Sequence, residues 1–188
     1  MPKIILASKS PRRKQLLEWA EIPVDIVASD VDEIFPADLP IAEVPVFIAR
    51  RKANAVREGL PHNEQIILAA DTIVVLENEV IGKPVDRADA IEILKALSGK
   101  THQVITGVVL LHEGNEIAFA DTTEVIFHEL TEEQITFYVD HYQPYDKAGA
   151  YAIQEWIGVV GIQSINGDFY NVMGLPVSRV IRELNKLM

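Results

Sequence analysis

Ile66-Ile67-Leu68-Ala69-Ala70-Asp71-Thr72-Ile73-Val74-Val75-Leu76 is an apolar run, β-branched in large part, broken by a single carboxylate. So short a run, without polar alternation, reads as a strand buried on both faces, the kind that lies in the middle of an α/β sheet. A carboxylate there is expensive unless it is paired, metal-bound or open to a cleft. Asp71 therefore either accepts hydrogen bonds from a neighbouring loop or does chemistry. An aspartyl nucleophile on a strand end would want a second Asp two residues on, where this chain has Ile73. A general-base role is favoured over covalent catalysis.

Outward from that strand the chain alternates strand and helix signals. Residues 3–7 read as a short buried strand, and Ser10-Pro11 as an N-cap followed by Pro at the first helical position, with Leu16, Leu17 and Ala20 as the apolar stripe. Val24–Val27 suggests a second strand, and Pro36 and Pro40 bracket a loop before a helix over residues 41–58. Asp86 caps a further helix with Ile91, Leu94 and Leu97 on one face and Gly99 as its stop. His102–His112 and Glu116–His128 are β-rich runs separated by the hairpin signal Glu113-Gly114-Asn115. Thr131-Glu132-Glu133-Gln134 is a capping box. Residues 157–165 suggest another strand, and Pro176 opens a last helix carrying Val177, Val180, Ile181, Leu184 and Leu187. The order predicts an α/β fold with a mixed sheet flanked by helices.

The 188 residues suit one domain, or two lobes sharing a core, and 48% hydrophobic with 24% charged residues is a globular composition. No apolar run is long enough for a membrane helix, and the first residues are too short for a signal segment, so a cytoplasmic address is the expectation. With no cysteine, a disulfide scaffold, a thiolate metal site and a Cys nucleophile are excluded. The net charge of −11 argues against broad affinity for nucleic acid. Yet Lys3, Lys9, Arg12, Arg13 and Lys14 crowd the first fourteen positions, and Arg50-Arg51-Lys52 forms a second basic run. Such clusters are either solvated helix ends or an anion pocket built against the net field.

The turn Ser8-Lys9-Ser10-Pro11-Arg12-Arg13 favours the pocket. Free backbone N–H groups at a helix start bind anions, and paired arginines there run against the helix dipole unless an anion compensates them. Glu33, Lys52, Lys83 within Gly82-Lys83-Pro84, and Asp146-Lys147 before Ala148-Gly149 are weaker single signals. The histidines at 62, 102, 112, 128 and 141 show no metal-ligand spacing, and His102 and His112 are placed on strand surfaces. A Gly-x-x-x-x-Gly-Lys-Ser/Thr loop, Gly-x-Gly-x-x-Gly and Gly-x-Ser-x-Gly are all absent.

Taken in order, Leu6-Ala7-Ser8-x-Ser10-Pro11-Arg12-Arg13, Ala70-Asp71-Thr72, Gly82-Lys83-Pro84, Ser98-Gly99-x-x-His102-x-Val104-x-Thr106-Gly107, Asp146-Lys147-Ala148-Gly149-x-Tyr151-x-Ile153-Gln154 and Gly174-Leu175-Pro176 resemble the Maf family of nucleoside triphosphate pyrophosphatases, across nearly the whole chain. The resemblance implies a single Maf-like domain over 1–188, with two lobes around a deep cleft as in inosine triphosphate pyrophosphatases. It implies hydrolysis of an NTP to the NMP and pyrophosphate with Mg²⁺ or Mn²⁺. Carried over by position, Asp71 would accept the proton of water; Ser8, Arg13, Lys52, Lys83 and Lys147 would bind substrate; Glu33 and Asp71 would place the metal. Arg12, Thr72 and Gln154 match the subfamily acting on dTTP and UTP, where the 7-methyl-GTP subfamily shows Trp, Gln and Glu. Gln154 offers one donor and one acceptor, which suits the O4/N3–H edge of uracil or thymine. Trp156, beside it, would broaden the choice of base if its indole entered the pocket, or else packs in the core or at the rim. The expected partners are a nucleoside triphosphate and, as in much of the family, a second copy of the chain, with no nucleic acid or membrane. The alternatives are a 7-methyl-GTP or broad-spectrum enzyme, and a nucleotide-binding regulator of cell division.

Overall fold

In the computed structural model, which describes residues 3–60 and 65–187, the apolar run becomes β3 (Ile67–Leu76), a strand buried along almost all its length. Before it come β1 (Ile4–Leu6), α1 (Pro11–Trp19), β2 (Val24–Ile26) and α2 (Val44–Glu58), the last entered through a 3₁₀ turn at Ile41–Glu43. After it come β4 (Glu79–Ile81), α3 (Arg87–Leu97), β5 (Thr101–His112), β6 (Asn115–Phe127) and α4 (Glu132–Tyr142). The chain ends with α5 (Trp156–Gly161), β7 (Ile162–Asn166), α6 (Phe169–Met173) and α7 (Val177–Leu187). The strands form one mixed sheet in the order β2-β1-β3-β5-β6-β7, with β4 also paired to β3. β1 lies parallel to β2 and to β3, whereas β3–β4 and β6–β7 are antiparallel.

The local signals act as expected. Asp86 accepts a hydrogen bond from Asp89 N–H, and Thr131 and Gln134 form the full capping box of α4. Gly99 takes φ +68° past the end of α3. The β5–β6 turn uses positive φ at Glu113 (47°) and Gly114 (84°), the backbone that a two-residue hairpin needs.

Three elements depart from expectation. β4 pairs with β3 across Glu77-Asn78, both at positive φ, a turn without the glycine that would have announced it. Residues 156–161 are helical, so the strand expected over 157–165 begins only at Ile162. The β-branched residues Ile157, Val159 and Val160 favour a strand, but Gly158 N–H closes a turn on Glu155 O at 2.9 Å and tertiary packing overrides propensity. α6 carries no periodic stripe long enough to read.

Backbone contacts divide the chain into two compact units, Met1–Asp71 with Thr106–Asp121 and Gly174–Met188, and Thr72–Ile105 with Thr122–Met173. In the first unit Ala49, Ala53 and Val56 of α2 pack on Ile5, Ala7, Ile67, Ala69, Val109 and Leu111 of the sheet. Small residues on that helix face let its backbone come close to the strands. In the second unit α3 packs on α4, and Leu94, Leu97, Ile135, Tyr138 and Val139 are buried.

His102 corrects the expectation of a strand-surface histidine: it is 1% exposed, edge-on to Phe127 and Tyr151, with Nε2 hydrogen-bonded to the Tyr151 hydroxyl at 2.7 Å. Burial lowers its pKa from 6.5 to about 4, and raises that of the Tyr151 phenol. An imidazolium would need two acceptors, and Nδ1 has no partner among the described residues. The unfolded chain therefore binds more protons than the folded one between pH 6.5 and about 4, so stability is lost as pH falls through that window. This linkage amounts to about 2 kcal/mol between pH 7 and pH 5. Denaturant melts should show His102→Gln to be less stable at neutral pH but flatter across that range by this amount. An unchanged slope would assign the acid sensitivity to other groups.

Candidate functional site

The first unit gathers one set of charges. β1 runs into Ser8, which is buried and whose Oγ accepts from Ser10 N–H and from Arg13 Nη1, both at 3.2 Å. Ser10 is the N-cap of α1 by position, but its own side chain makes no cap bond. The first turn of α1 holds no acidic residue to offset Arg12 and Arg13 locally, and the carboxylates that act on Arg13 come from Asp71 and Glu33. Arg13 is 8% exposed, and its Nε donates to Gly174 O at 2.8 Å. Burial lowers the pKa of its guanidinium, Asp71 and Glu33 raise it, and neighbouring Arg12 lowers it. A buried guanidinium stays charged, so this is a fixed cation facing carboxylates.

Asp71, 6% exposed on β3, accepts at Oδ1 from Lys52 Nζ at 2.6 Å, and the same ammonium donates to Glu33 Oε1 at 2.8 Å. One cation thus draws together two carboxylates from different segments, and this resolves the cost of placing Asp71 in the middle strand. α2 delivers Lys52 from the sheet side, while Glu33 comes from the long loop before it. That loop is held by Arg51, whose Nη1 donates to Asp32 O at 2.8 Å and Ile34 O at 3.0 Å, the carbonyls on either side of Glu33. Arg51 was visible in sequence only as one of three basic residues. That its charge serves the chain's own carbonyls could not be read there.

The second unit holds another set. Lys147, 8% exposed, pairs with Asp146 at 2.8 Å and lies 3.7 Å from Glu155 Oε1. Gly149 N–H donates to Gly82 O at 3.1 Å, tying the Lys147 segment to the turn that carries exposed Lys83. Gly149 sits at φ +71°, and a Cβ there would lie 2.9 Å from Val74 Cγ2, so this residue must be glycine for two reasons. Gln154 is exposed, whereas residues 151–153 before it are buried. Trp156 packs its indole on Phe137 with centroids 4.8 Å apart. Thr72 follows Asp71 on β3, and strand alternation turns the two side chains to opposite faces.

The sequence-predicted residues thus fall into two sets: Ser8, Arg12, Arg13, Glu33, Lys52 and Asp71 in one unit, Thr72, Lys83, Lys147 and Gln154 in the other. Among the described residues there is no cluster of three or more His, Asp or Glu side chains able to hold a metal ion. His62 lies outside the described residues. No described helix is long and apolar enough to cross a membrane.

Comparison with known proteins bears on the whole chain. The family model described as Maf-like protein matches residues 3–187. A dTTP/UTP pyrophosphatase of Bacteroides fragilis is 52% identical over 188 residues, 98% of this chain and 96% of the relative. That of Bacteroides thetaiotaomicron is 51% identical with the same coverage, and that of Cytophaga hutchinsonii 50% identical over 98% of this chain and 84% of its own. Among solved structures the Staphylococcus aureus Ham1 protein covers 67% of this chain and 72% of its own at 13% identity and a TM-score of 0.43, too loose to carry an argument.

Proposed function

The chain belongs to the Maf-like protein family, and from that membership we propose that it is a nucleoside triphosphate pyrophosphatase acting on dTTP and UTP. The observation that carries the chemistry is the ammonium of Lys52 between the buried carboxylate of Asp71 and the exposed carboxylate of Glu33, with the buried cation Arg13 interacting electrostatically with both carboxylates. Phosphoryl chemistry asks for positioned cations around the phosphate oxygens and a base to take the proton of the attacking water. In this reading Asp71 accepts that proton as the anhydride between the α and β phosphorus atoms breaks, and pyrophosphate leaves. Lys52, fixed by its two carboxylates, is aimed rather than mobile. Arg13, held by Ser8 and Gly174 O, would present its guanidinium charge to phosphate, and Lys83 and Lys147 would supply further positive charge.

Asp71 and Glu33 also fit a divalent cation, because two hard oxygen donors already converge on one cationic centre. They would hold Mg²⁺ or Mn²⁺ together with water and phosphate oxygens, since Mg²⁺ commonly takes only one or two carboxylates. When bound, the metal would neutralise charge on the phosphates. Gln154 would read the base, its amide donor and acceptor facing the O4/N3–H edge, with Arg12 and Thr72 completing the pyrimidine set. A water-soluble nucleotide and a cysteine-free chain fit a cytoplasmic address.

Pyrophosphate release from a panel of nucleoside triphosphates with Mg²⁺ tests this. The expected result is turnover of dTTP and UTP at least about tenfold above other bases, as a hydrogen-bonded reader produces. Turnover of 7-methyl-GTP alone would keep the reaction and remove the base assignment. Tight binding of nucleotides with no turnover would leave a nucleotide-binding regulator.

A further inference from the structure

The segment Tyr151–Glu155 is anchored at nearly every residue. Tyr151 is hydrogen-bonded through its hydroxyl to His102 Nε2 at 2.7 Å. Ala152 N–H donates to the Tyr138 hydroxyl at 3.1 Å. The Ile153 carbonyl abuts Gly158 so closely that a Cβ there would fall 1.7 Å from its oxygen. Glu155 accepts at Oε2 from the same Tyr138 hydroxyl, and its Oε1 lies 3.7 Å from Lys147 Nζ. Gln154 is the exposed residue in the middle of this held segment.

The Tyr138 side chain comes from α4, is fully buried and has one polar atom. That oxygen accepts from the main chain two residues before Gln154 and donates to the side chain one residue after it. A phenylalanine would fill the same space without either bond. The hydroxyl is thus a two-sided pin on the residues that flank Gln154, and a buried hydroxyl with both roles satisfied is rigid because leaving either partner bare is costly.

We propose that Tyr138 and Glu155 are positioning residues for base selection: their hydrogen bond fixes the height at which Gln154 presents its amide. The inference rests on Gln154 being the base reader. With the backbone of residues 152–155 fixed, the amide stands at one height above α4, and a pyrimidine edge meets it where a larger purine is held off. Released, the segment shifts and the size limit relaxes. The phosphate contacts of Arg13 and Lys52 stay as they are; Lys147, 3.7 Å from Glu155 Oε1, is the phosphate cation that Glu155→Ala also touches, so the tripolyphosphate readout is taken on Tyr138→Phe.

Kinetics of Tyr138→Phe, Glu155→Ala, the double variant and Gln154→Ala test this with UTP, GTP and inorganic tripolyphosphate as a base-free competitive inhibitor. For Tyr138→Phe the UTP-over-GTP ratio of kcat/KM should fall about tenfold, mainly through a higher KM for UTP, with the inhibition constant of tripolyphosphate within about twofold of wild type. Glu155→Ala should lower the ratio in the same direction, and the double variant should fall no further than Tyr138→Phe alone, because that variant already removes the Tyr138–Glu155 bond. Circular dichroism at the assay temperature shows that each variant is folded. A ratio unmoved in either single variant, or a tripolyphosphate constant rising in step with the KM for UTP in Tyr138→Phe, would overturn the inference. If Gln154→Ala leaves the ratio unchanged, it is the base-reading assignment that fails. If Gln154→Ala lowers it and Tyr138→Phe does not, the pin alone fails.

Discussion

Asp71→Asn is expected to lower kcat for UTP by about 10²–10⁴-fold, the range for loss of a positioned general base, in a protein whose melting temperature stays within a few degrees of wild type. The amide keeps the size of the carboxylate and can still accept from Lys52 Nζ, which retains Glu33 as its other partner at 2.8 Å. What it loses is the capacity to take a proton, and with Oδ1 engaged by Lys52 that task would fall to the second oxygen. The same substitution would also weaken the proposed metal site, so the measurement is made across a Mg²⁺ titration. A deficit that persists at saturating metal assigns Asp71 to proton transfer. Recovery of most of the rate at high Mg²⁺ would assign it to holding the cation, and the base would have to be sought elsewhere.

Gly107→Ala should be the most damaging single methyl in the first unit. A Cβ on this buried residue of β5 would lie 2.2 Å from Val46 N, 2.3 Å from Pro45 C and 2.6 Å from Pro45 O. These are main-chain atoms in the first turn of α2, so no side-chain rotation relieves the clash; the helix itself has to move. Overpacking of this kind costs about 3 kcal/mol at the upper end of its usual range, which corresponds to about 6–12 °C in Tm for a protein of this size. Because α2 also carries Arg51 and Lys52, the shift should show in catalysis as well. Thermal melts and UTP kinetics on the same preparation check both effects, and a Tm within two degrees of wild type would mean that the helix has slack at this point.

The sheet centre, the caps and the hairpin were legible because each depends on residues close together in sequence. Asp71 within its apolar run, Asp86 three residues before Asp89, and Thr131 three before Gln134 carry their own explanations. The short return β4 was not legible, because Glu77-Asn78 turns the chain at positive φ without a glycine. The helix at 156–161 was misread as strand because Ile157, Val159 and Val160 carry the β propensity while the deciding contact, Gly158 against the Ile153 carbonyl, is a matter of packing. His102 was placed on a surface because the strand pattern says nothing of Tyr151, 49 residues on, that meets it. Within the site, the charged residues announced themselves by type, but their pairing did not. That Lys52 reaches both Glu33 and Asp71, and that Arg51 grips the carbonyls around Glu33, depends on distances across 17 to 19 residues of chain.

The order in which the ribosome delivers the chain gives one of these contacts a further meaning. The acceptor for Arg13 Nε is the carbonyl of Gly174, 161 residues downstream, and the first unit draws its last segment from Gly174–Met188. At synthesis rates of about 5–20 residues per second, Arg13 waits for at least about eight seconds before the residue that orients it exists. A prematurely terminated chain would carry Ser8, Lys52 and Asp71 yet lack the stop that sets Arg13, so fragments should be poor hydrolases of the cell's nucleotides. On the proposed role of Arg13, synthesis of Gly174, rather than formation of any one strand or helix, would be the step that arms the site.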